Sequence, residues 1–595
     1  MKVNLNKILN LLALCCFLFF NNSCLAENAQ IPNTLNPGVV RNSNIESFQN
    51  KAEKIKNDYN NSSMLDKKLN MLMGTIEKEA PLIPSENPKF IVKKILFTGN
   101  KAIRNKDIEK LTSKYEEKEI TVNDLLNLCD QISVEYLDKG YITSKAILLQ
   151  QKIEKESIII TIKEGLYGDI IVKENKWVRT SYLKRMLKAY NIKDNNILNI
   201  YDLKNCITTL NNSTYMKGDF SIEDSKQKNK NDIVLHIKDR YPLDFNVDWN
   251  NSGQELAGRQ RSILTVAQNN LTGNGDSLSL SGFFSKGTIG TFENYIIPIG
   301  SKGTKLNLGH SFSDTKYGGS YKALGLNGKA QNFTVGISQQ VYQGKKWTVD
   351  SGVNLDFGHI RQTMNTIGEL NNVHLTVLRS GIYGKREDDR GIWLTNFVVN
   401  KSLPFMSRSG KYDYTNFISL NGGINRLQMM PKRCYLLFNV NGQYSPDNLF
   451  SSEKLMLGGY NARGYETATL LGDAGLYGTV ELRTPVPFLK KMLKEKGKEF
   501  EEQTKLGFFY DWGGTRDSHG TQNYLTGKSV NFLQSVGFGL HFPVGKLFMA
   551  NIDFGVPIGD RALISQGGRL TFSITSNIHN LWCQKYNRKL KEPVL

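Results

Sequence analysis

Apolar and polar residues follow different rhythms along this 595-residue chain. From residue 241 onward the period is two. Leu243, Phe245, Val247 and Trp249 alternate with Asp244, Asn246, Asp248 and Asn250, and near the end Leu570, Phe572 and Ile574 alternate with Thr571, Ser573 and Thr575. Similar runs at Lys305 to Phe312, Trp347 to Phe357, Tyr435 to Tyr444 and Tyr477 to Arg483 are separated by Gly, Asn and Asp turns. Successive strand side chains point to opposite faces, so the pattern predicts strands with one apolar and one polar face. At about 20 to 24 residues per strand and connection, this stretch makes roughly 16 strands.

A soluble sandwich would alternate as well. Long strands, 10% aromatic residues with Tyr, Trp and Phe at strand ends, and an export signal at the amino terminus point instead to a transmembrane antiparallel β-barrel, lipid outside and water inside. The strand count of such a single-chain barrel is even, with both chain ends on the periplasmic side.

Between Phe90 and Arg240 two similar units follow one another, each reading strand, helix, helix, strand, strand. The first opens with Phe90 to Phe97 and the turn Thr98-Gly99-Asn100, shows helical periodicity over Lys106 to Tyr115 and Val122 to Asp138, and closes on Ser157 to Lys163. The second opens at Asp169 to Val172, continues with helical patterns at Thr180 to Tyr190 and Leu203 to Asn211, and closes on Asp232 to Lys238. This is an internal repeat of small α/β modules.

At the amino terminus Lys2 and Lys7 precede the apolar run Ile8 to Phe20, and Cys24-Leu25-Ala26 places small residues where a signal peptidase reads. A helical span needs about 20 apolar residues, which that run does not reach, so it reads as a signal peptide. A mean hydropathy of −0.38 argues against helical spans elsewhere. Helix-like patterns at Ile45 to Tyr59 and Met64 to Glu79 end at Pro81, Pro84 and Pro88, which cannot continue a helix. The predicted division is a signal peptide over 1–26, an N-terminal helix and linker over 27–89, modules over 90–165 and 166–240, and the barrel with a short C-terminal extension over 241–595.

The net charge of +20 comes mostly from Lys dispersed among Asn and Asp, without a nucleic-acid-binding motif. In an exported protein such charge attracts anionic lipid, lipopolysaccharide or an acidic partner. Three of the seven cysteines lie in the signal peptide; Cys129, Cys206, Cys434 and Cys583 are scattered and form no CxxC pair, so neither a disulfide framework nor a zinc site is expected. HExxH and GxSxG are absent, and the histidines are dispersed. The Gly-rich run Asn270 to Asp276 has Leu278 where a dinucleotide loop needs its third Gly and continues into the strand Ser277 to Gly282. Gly527-Lys528-Ser529 has Gln522 where a phosphate loop needs Gly. No enzymatic activity, cofactor or metal is expected.

Three blocks carry a family resemblance. Tyr136 to Ala146 (YLDKGYITSKA), with Gln151 and Glu164-Gly165, has a helix end, a Gly turn and an edge strand. Asn270 to Asp276, then Tyr295, Pro298, Ile299, Gly300 and Gly303, form early turns and hairpins of the barrel. The most specific block is Gly458 to Glu466 (GGYNARGYE), followed by Gly472-Asp473-Ala474-Gly475, Glu481-Leu482-Arg483 and Phe508 to Gly513 (FFYDWG). Together they resemble the two-partner secretion transporters, the FhaC/ShlB-like haemolysin secretion/activation family within the BamA-like superfamily. The first block is similar to that family's POTRA signature. The last resembles the superfamily's sixth extracellular loop, whose Arg-Gly-aromatic tip folds back into the barrel to meet a strand Asp. Members usually have Val before that Arg; here Ala462 stands there.

The resemblance implies an outer-membrane barrel preceded by two periplasmic POTRA domains. It implies export of a large haemolysin- or adhesin-like partner, recognised through its N-terminal secretion domain. It also implies a plug helix at Ile45 to Tyr59 and a loop lock comprising Arg463, Gly464, Tyr465, Asp511 and Gly513. A guanidinium offers five donors to a carboxylate in a confined lumen, and Gly464 lets the tip turn. Partner capture by β-augmentation would use a sheet edge, with Ile142 to Leu148 and Asp232 to Lys238 as candidates and Tyr141, Ile142, Thr143, Ser144 and Ala146 as candidate contacts. A BamA-like assembly factor is the alternative; two modules are fewer than such factors usually carry. The charged insert Lys490 to Gln503 and the tail Thr575 to Leu595 depart from the family pattern.

Overall fold

The computed structural model describes residues 56, 89–151, 156–211, 213, 215–227, 229–299, 304–344, 346–409, 415–486, 503–518, 520, 523, 526–545, 547–564 and 567–576. The predicted signal peptide, the helix Met64 to Glu79 and most of the insert and tail lie outside them.

The first module comprises β1 (Lys89–Val92), β2 (Lys94–Thr98), α1 (Asn105–Thr112), β3 (Lys118–Thr121), α2 (Val122–Asp138), β4 (Lys145–Leu148) and β5 (Ser157–Lys163). A capping box starts α2: Thr121 and Asp124 each satisfy the other's backbone N–H. Its apolar stripe, Leu125, Leu128, Ile132 and Tyr136, is buried against Val92, Ile95, Ile158 and Ile160 of the strands, and each such side chain contributes about 1.5–3 kcal/mol. The single opening strand expected from the sequence breaks at Lys93, whose N–H bonds Glu156 O at 2.8 Å. As a result β1 pairs with β3 while β2 joins a separate sheet of order β2-β5-β4.

The second module comprises β6 (Leu166–Lys173), α3 (Thr180–Ala189), α4 (Ile200–Asn211), β7 (Met216–Asp224) and β8 (Lys230–Asp239), with sheet order β6-β8-β7. This corrects one expectation. Asp232 to Lys238 belongs to β8, which bonds β6 on one side and β7 on the other, so it cannot accept an added strand; β6 and β7 are the edges.

Beyond Arg240 sixteen antiparallel strands close into a barrel. They are β9 (Leu243–Asn250), β10 (Arg261–Gln268), β11 (Ser277–Ser285), β12 (Thr288–Ile299), β13 (Thr304–Lys316), β14 (Asn327–Gln343), β15 (Trp347–Met364), β16 (Gly368–Asp388), β17 (Gly391–Ser402), β18 (Ile418–Met429), β19 (Tyr435–Tyr444), β22 (Ala474–Pro485), β23 (Lys505–Arg516), β24 (Val530–Val544), β25 (Phe548–Pro557) and β26 (Arg569–Ser576). The alternation is inside-out relative to a soluble protein: Leu243, Phe245 and Trp249 of β9 face outward while Asp244 and Asn250 are buried. The lumen is lined by polar side chains such as Ser313, Thr315, Gln362 and Asn400. Among the described residues, three ladder pairs, Asn250 to Asp248 with Ser573 to Thr575, join β9 to β26 at the seam. Strands β14 to β16 have 17, 18 and 21 residues, more than the roughly 9–11 a membrane crossing needs. They therefore extend beyond the bilayer.

Candidate functional site in the barrel lumen

The loop between β19 and β22 turns inward. Two short strands, β20 (Leu455–Leu457) and β21 (Leu470–Gly472), pair as a hairpin at its base. The tip is turned by Gly458 at φ 110°, where a Cβ would stand 2.0 Å from Glu466 O. Buried Asn461 bridges the turn, accepting from Gly458 N and donating to Met456 O, both at 2.9 Å.

This geometry delivers Arg463 to a buried cluster. Its Nε and Nη2 donate to the two carboxylate oxygens of Asp511 at 2.9 Å each, and its backbone N–H donates to the same carboxylate at 2.9 Å. Nη1 donates to Glu481 Oε2 at 2.7 Å. The guanidinium carbon lies 3.4 Å from the ring centroid of Phe509, and Gly537 leaves room for that ring, since a Cβ there would sit 2.3 Å from it. Asp511 and Glu481 are fully buried. Such a fork with a second carboxylate uses donors that a lysine lacks. Glu481 in turn pairs with Arg483, while His541 Nε2 lies 3.6 Å from both Glu481 and Asp553.

The other motif residues fit around this contact. At Gly464, φ is 104° and a Cβ would meet Gly555 O at 3.0 Å; a Cβ on Gly555 would stand 2.5 Å from the Arg463 carbonyl carbon. The Tyr465 hydroxyl donates to Gln534 O at 3.0 Å and accepts from Gly559 N at 3.2 Å. Gly513 admits Tyr477 and Leu457, which a Cβ would crowd at 2.7 and 3.0 Å. Past the tip, Glu466 pairs with Arg259 at 3.1 Å and Thr467 Oγ1 donates to Ser252 O at 2.8 Å. The loop thus holds β23 to β25 on one side of the seam and the β9–β10 loop on the other.

Sequence reading missed the second attachment. Arg379 of β16 reaches Asp356 of β15, Asn400 of β17 and Glu453 at the root of the loop. Neither residue stands in a recognisable motif, and their pairing depends on which strands are neighbours. Glu481 did lie within the quoted block, but its contacts with Arg463 of the loop and His541 of β24 are not readable from spacing.

The candidate partner contacts lie where the first module packs on itself and on the second. Ile142, Ser144 and Ala146 are buried, so their side chains cannot meet a partner unless the module opens. Ile142 sits in the core of the second module. Ser144 Oγ accepts from Gly165 N at 3.2 Å, and Tyr141 packs edge-on to Tyr136 at 5.9 Å. Thr143 is half-buried at Gly165, where a Cβ would lie 2.1 Å from Thr143 Oγ1. The Gly140 turn joins the modules: Ile200 N bonds Gly140 O at 2.9 Å and Asn199 Nδ2 bonds Lys139 O at 3.1 Å. Glu164 holds the first module together by accepting from Lys101 N and Ala102 N at 2.7 Å and from the Tyr136 hydroxyl at 2.9 Å. Of the expected plug helix only Lys56 is described; it is helical, with its amine 5.0 Å from the centroid of lumen-facing Tyr435. Among the described residues no cluster of His, Cys, Asp and Glu could hold a metal ion.

A closed sixteen-strand membrane barrel with a loop ion-paired inside it and two α/β modules at its mouth defines an outer-membrane transporter. Residues 229–540, more than half of the chain, match the family described as haemolysin secretion/activation protein ShlB/FhaC/HecB, and residues 90–165 match the ShlB-type POTRA domain. The chain belongs to that family, whose members export large partner proteins in two-partner secretion. It is 22% identical to the heme/hemopexin transporter protein HuxB of Haemophilus influenzae strain 86-028NP, over 78% of this chain and 82% of that one. It is also 22% identical to the outer membrane transporter CdiB of Dickeya dadantii, over 78% and 83%. The structure of CdiB from Escherichia coli superimposes with a TM-score of 0.69 at 19% identity, over 87% of this chain and 98% of that one.

Proposed function

We propose that the periplasmic modules capture the N-terminal secretion domain of the partner in extended form, and that the lumen conducts it once the Arg463 loop is released. An extended segment can add to a sheet edge through main-chain hydrogen bonds; β4 in the first module and β6 or β7 in the second are edge strands. The observation that carries the reading is the occupied lumen. Arg463, Asp511 and Glu481 hold the loop inside the pore, so passage of a polypeptide requires their separation. Lys56 beside Tyr435 supports a helical plug at the periplasmic end of the lumen. The outward apolar band contacts outer-membrane lipid, with lipopolysaccharide in the outer leaflet. Folding of the partner outside the cell supplies the direction of transport.

The test compares secreted and outer-membrane proteomes of cells carrying the intact protein, a deletion, or Arg463→Ala. Loss of one large protein from the medium in the deletion, with a sharp fall in Arg463→Ala and normal levels of other barrels, is expected. A general decline of outer-membrane barrels with an unchanged medium would mean an assembly factor instead.

A further inference from the structure

The second module lies against the barrel on a surface that transport does not explain. Between Lys176 and Lys193 the sequence contains Lys176, Arg179, Lys184, Arg185, Lys188 and Lys193 and no Asp or Glu. All six cations are exposed. This segment comprises α3 and the turn leading into it, where Trp177 stands 48% exposed. Trp177 is held out deliberately by the backbone: the Asp239 carboxylate accepts from the N–H groups of Lys176, Trp177 and Val178 at 2.9, 2.6 and 2.9 Å.

The same segment is fixed to the periplasmic turn between β10 and β11. Asn270 Nδ2 donates to Trp177 O at 2.9 Å, Arg179 N to Gly273 O at 3.2 Å, and Arg185 Nη2 to Asn274 Oδ1 at 2.8 Å. Gly275 admits the Tyr182 ring, which a Cβ would approach to 2.3 Å. The indole of Trp177 packs edge-on to Tyr241, with centroids 4.9 Å apart. Tyr241 stands two residues before Leu243, which with Phe245 begins the outward, lipid-facing face of β9, and exposed Leu271 sits in the docked turn. An aromatic pair is therefore continuous with the lower edge of the apolar band, with a purely basic helix beside it. Trp and Tyr favour the membrane–water interface, and clustered Lys and Arg next to a membrane anchor attract anionic headgroups.

From this continuity and charge we infer that Trp177, Tyr241 and the basic face of α3 form a docking surface for anionic phospholipid in the inner leaflet of the outer membrane. The inference rests on the outer-membrane placement of the barrel and not on the mode of partner capture. It gives the second module a fixed attitude to the bilayer: the aromatic pair enters the headgroup region while Lys176, Lys184 and Lys188 meet phosphate.

The test uses the full chain in nanodiscs of phosphatidylethanolamine with a minority of phosphatidylglycerol, in two preparations of identical composition. In one only the phosphatidylglycerol has brominated chains; in the other an equal amount of phosphatidylethanolamine does. The fluorescence quenching due to Trp177 is the difference between the native protein and Trp177→Phe. Quenching by brominated phosphatidylglycerol is expected to exceed that by brominated phosphatidylethanolamine about threefold. The preference should vanish in the triple variant Lys176→Gln, Lys184→Gln, Lys188→Gln and persist when the same lysines become Arg. Heat-modifiable migration on gels verifies that each barrel is folded. Equal quenching by the two lipids, a preference that survives the Gln variant, or no quenching assignable to Trp177 would each overturn the proposal.

Discussion

Arg379 Nη2 donates to both carboxylate oxygens of Glu453 at 3.0 Å, tying the root of the inward loop to the wall formed by β15, β16 and β17. The loop is therefore held at its root by Arg379 as well as around its tip by Arg463 and its neighbours.

Arg379→Gln leaves two half-buried carboxylates, Asp356 and Glu453, without their shared cation, at a cost of about 1–3 kcal/mol, whereas Glu453→Gln leaves Arg379 paired with Asp356 and costs less. Each is expected to lower the temperature at which the folded barrel converts to its unfolded gel form. The double variant should recover part of the loss, with a coupling of about 1 kcal/mol or more. Strictly additive shifts would mean that the pair contributes nothing to seating the loop.

Arg463→Lys keeps the charge but cannot span Asp511 and Glu481 with a planar fork. Secretion of the partner should fall several-fold although the barrel still assembles, and external protease should reach the loop. Wild-type secretion by this variant would show that charge alone, without the fork, is sufficient.

Gly464→Ala and Gly555→Ala disturb the same docking without touching any charge. The first puts a side chain at φ 104° with its Cβ 3.0 Å from Gly555 O; the second places a Cβ 2.5 Å from the Arg463 backbone. A penalty of about 1–3 kcal/mol is expected for each, with the same protease sensitivity as Arg463→Lys. Gly527→Ala is a control for positive φ alone, since nothing lies within 4 Å of its Cβ position.

In the modules, burial pushes the Cys129 thiol up from 9.0 to about 12, with Asp130 adding a smaller effect, and raises Cys206 further. At pH 8 the thiolate of Cys129 is then about one part in 10⁴, against about one in ten for the unfolded chain. Because the folded value is the higher one, this burial contributes stability that is intact below pH 9 and lost as the pH rises toward 12. In native protein at pH 8, half-exposed Cys434 should be alkylated while Cys129 and Cys206 resist until denaturant is added. Mass spectrometry of the labelled peptides checks this, and rapid native labelling of Cys129 would contradict its burial.

How much of this the sequence revealed depended on the range of the contacts involved. Val122–Asp138 was legible to the residue, because the Thr121–Asp124 box marks its start and Gly140 its end. Ser157–Lys163 and Tyr435–Tyr444 were legible from strict alternation. The short, charged β3 carries too few apolar residues to register, and the break at Lys93 reflects a switch of sheet partners that alternation cannot express. Periodicity reports which face of a strand is buried and not which strands flank it, so β8 was mistaken for an edge. The same limit hid Arg379 and Glu453, whereas Arg463 and Asp511 could be read from a family motif. Burial of Ile142 arises where the two modules meet, which no single module's pattern encodes, whereas Ala146 packs in the first module's own core.

The position of the seated loop also favours one order of assembly. Arg463 meets Asp511 across 48 residues, while the seam bond from Val247 N to Ser576 Oγ spans 329. Loop-closure entropy alone favours the shorter contact by about 2 kcal/mol, and contacts distant in sequence form late. On loop-closure grounds the tip is expected to settle on β22 and β23 while the sheet is still an open ribbon, with the last strands wrapping around it afterwards. The nascent protein thus carries its own mandrel, and the pore is built around its stopper.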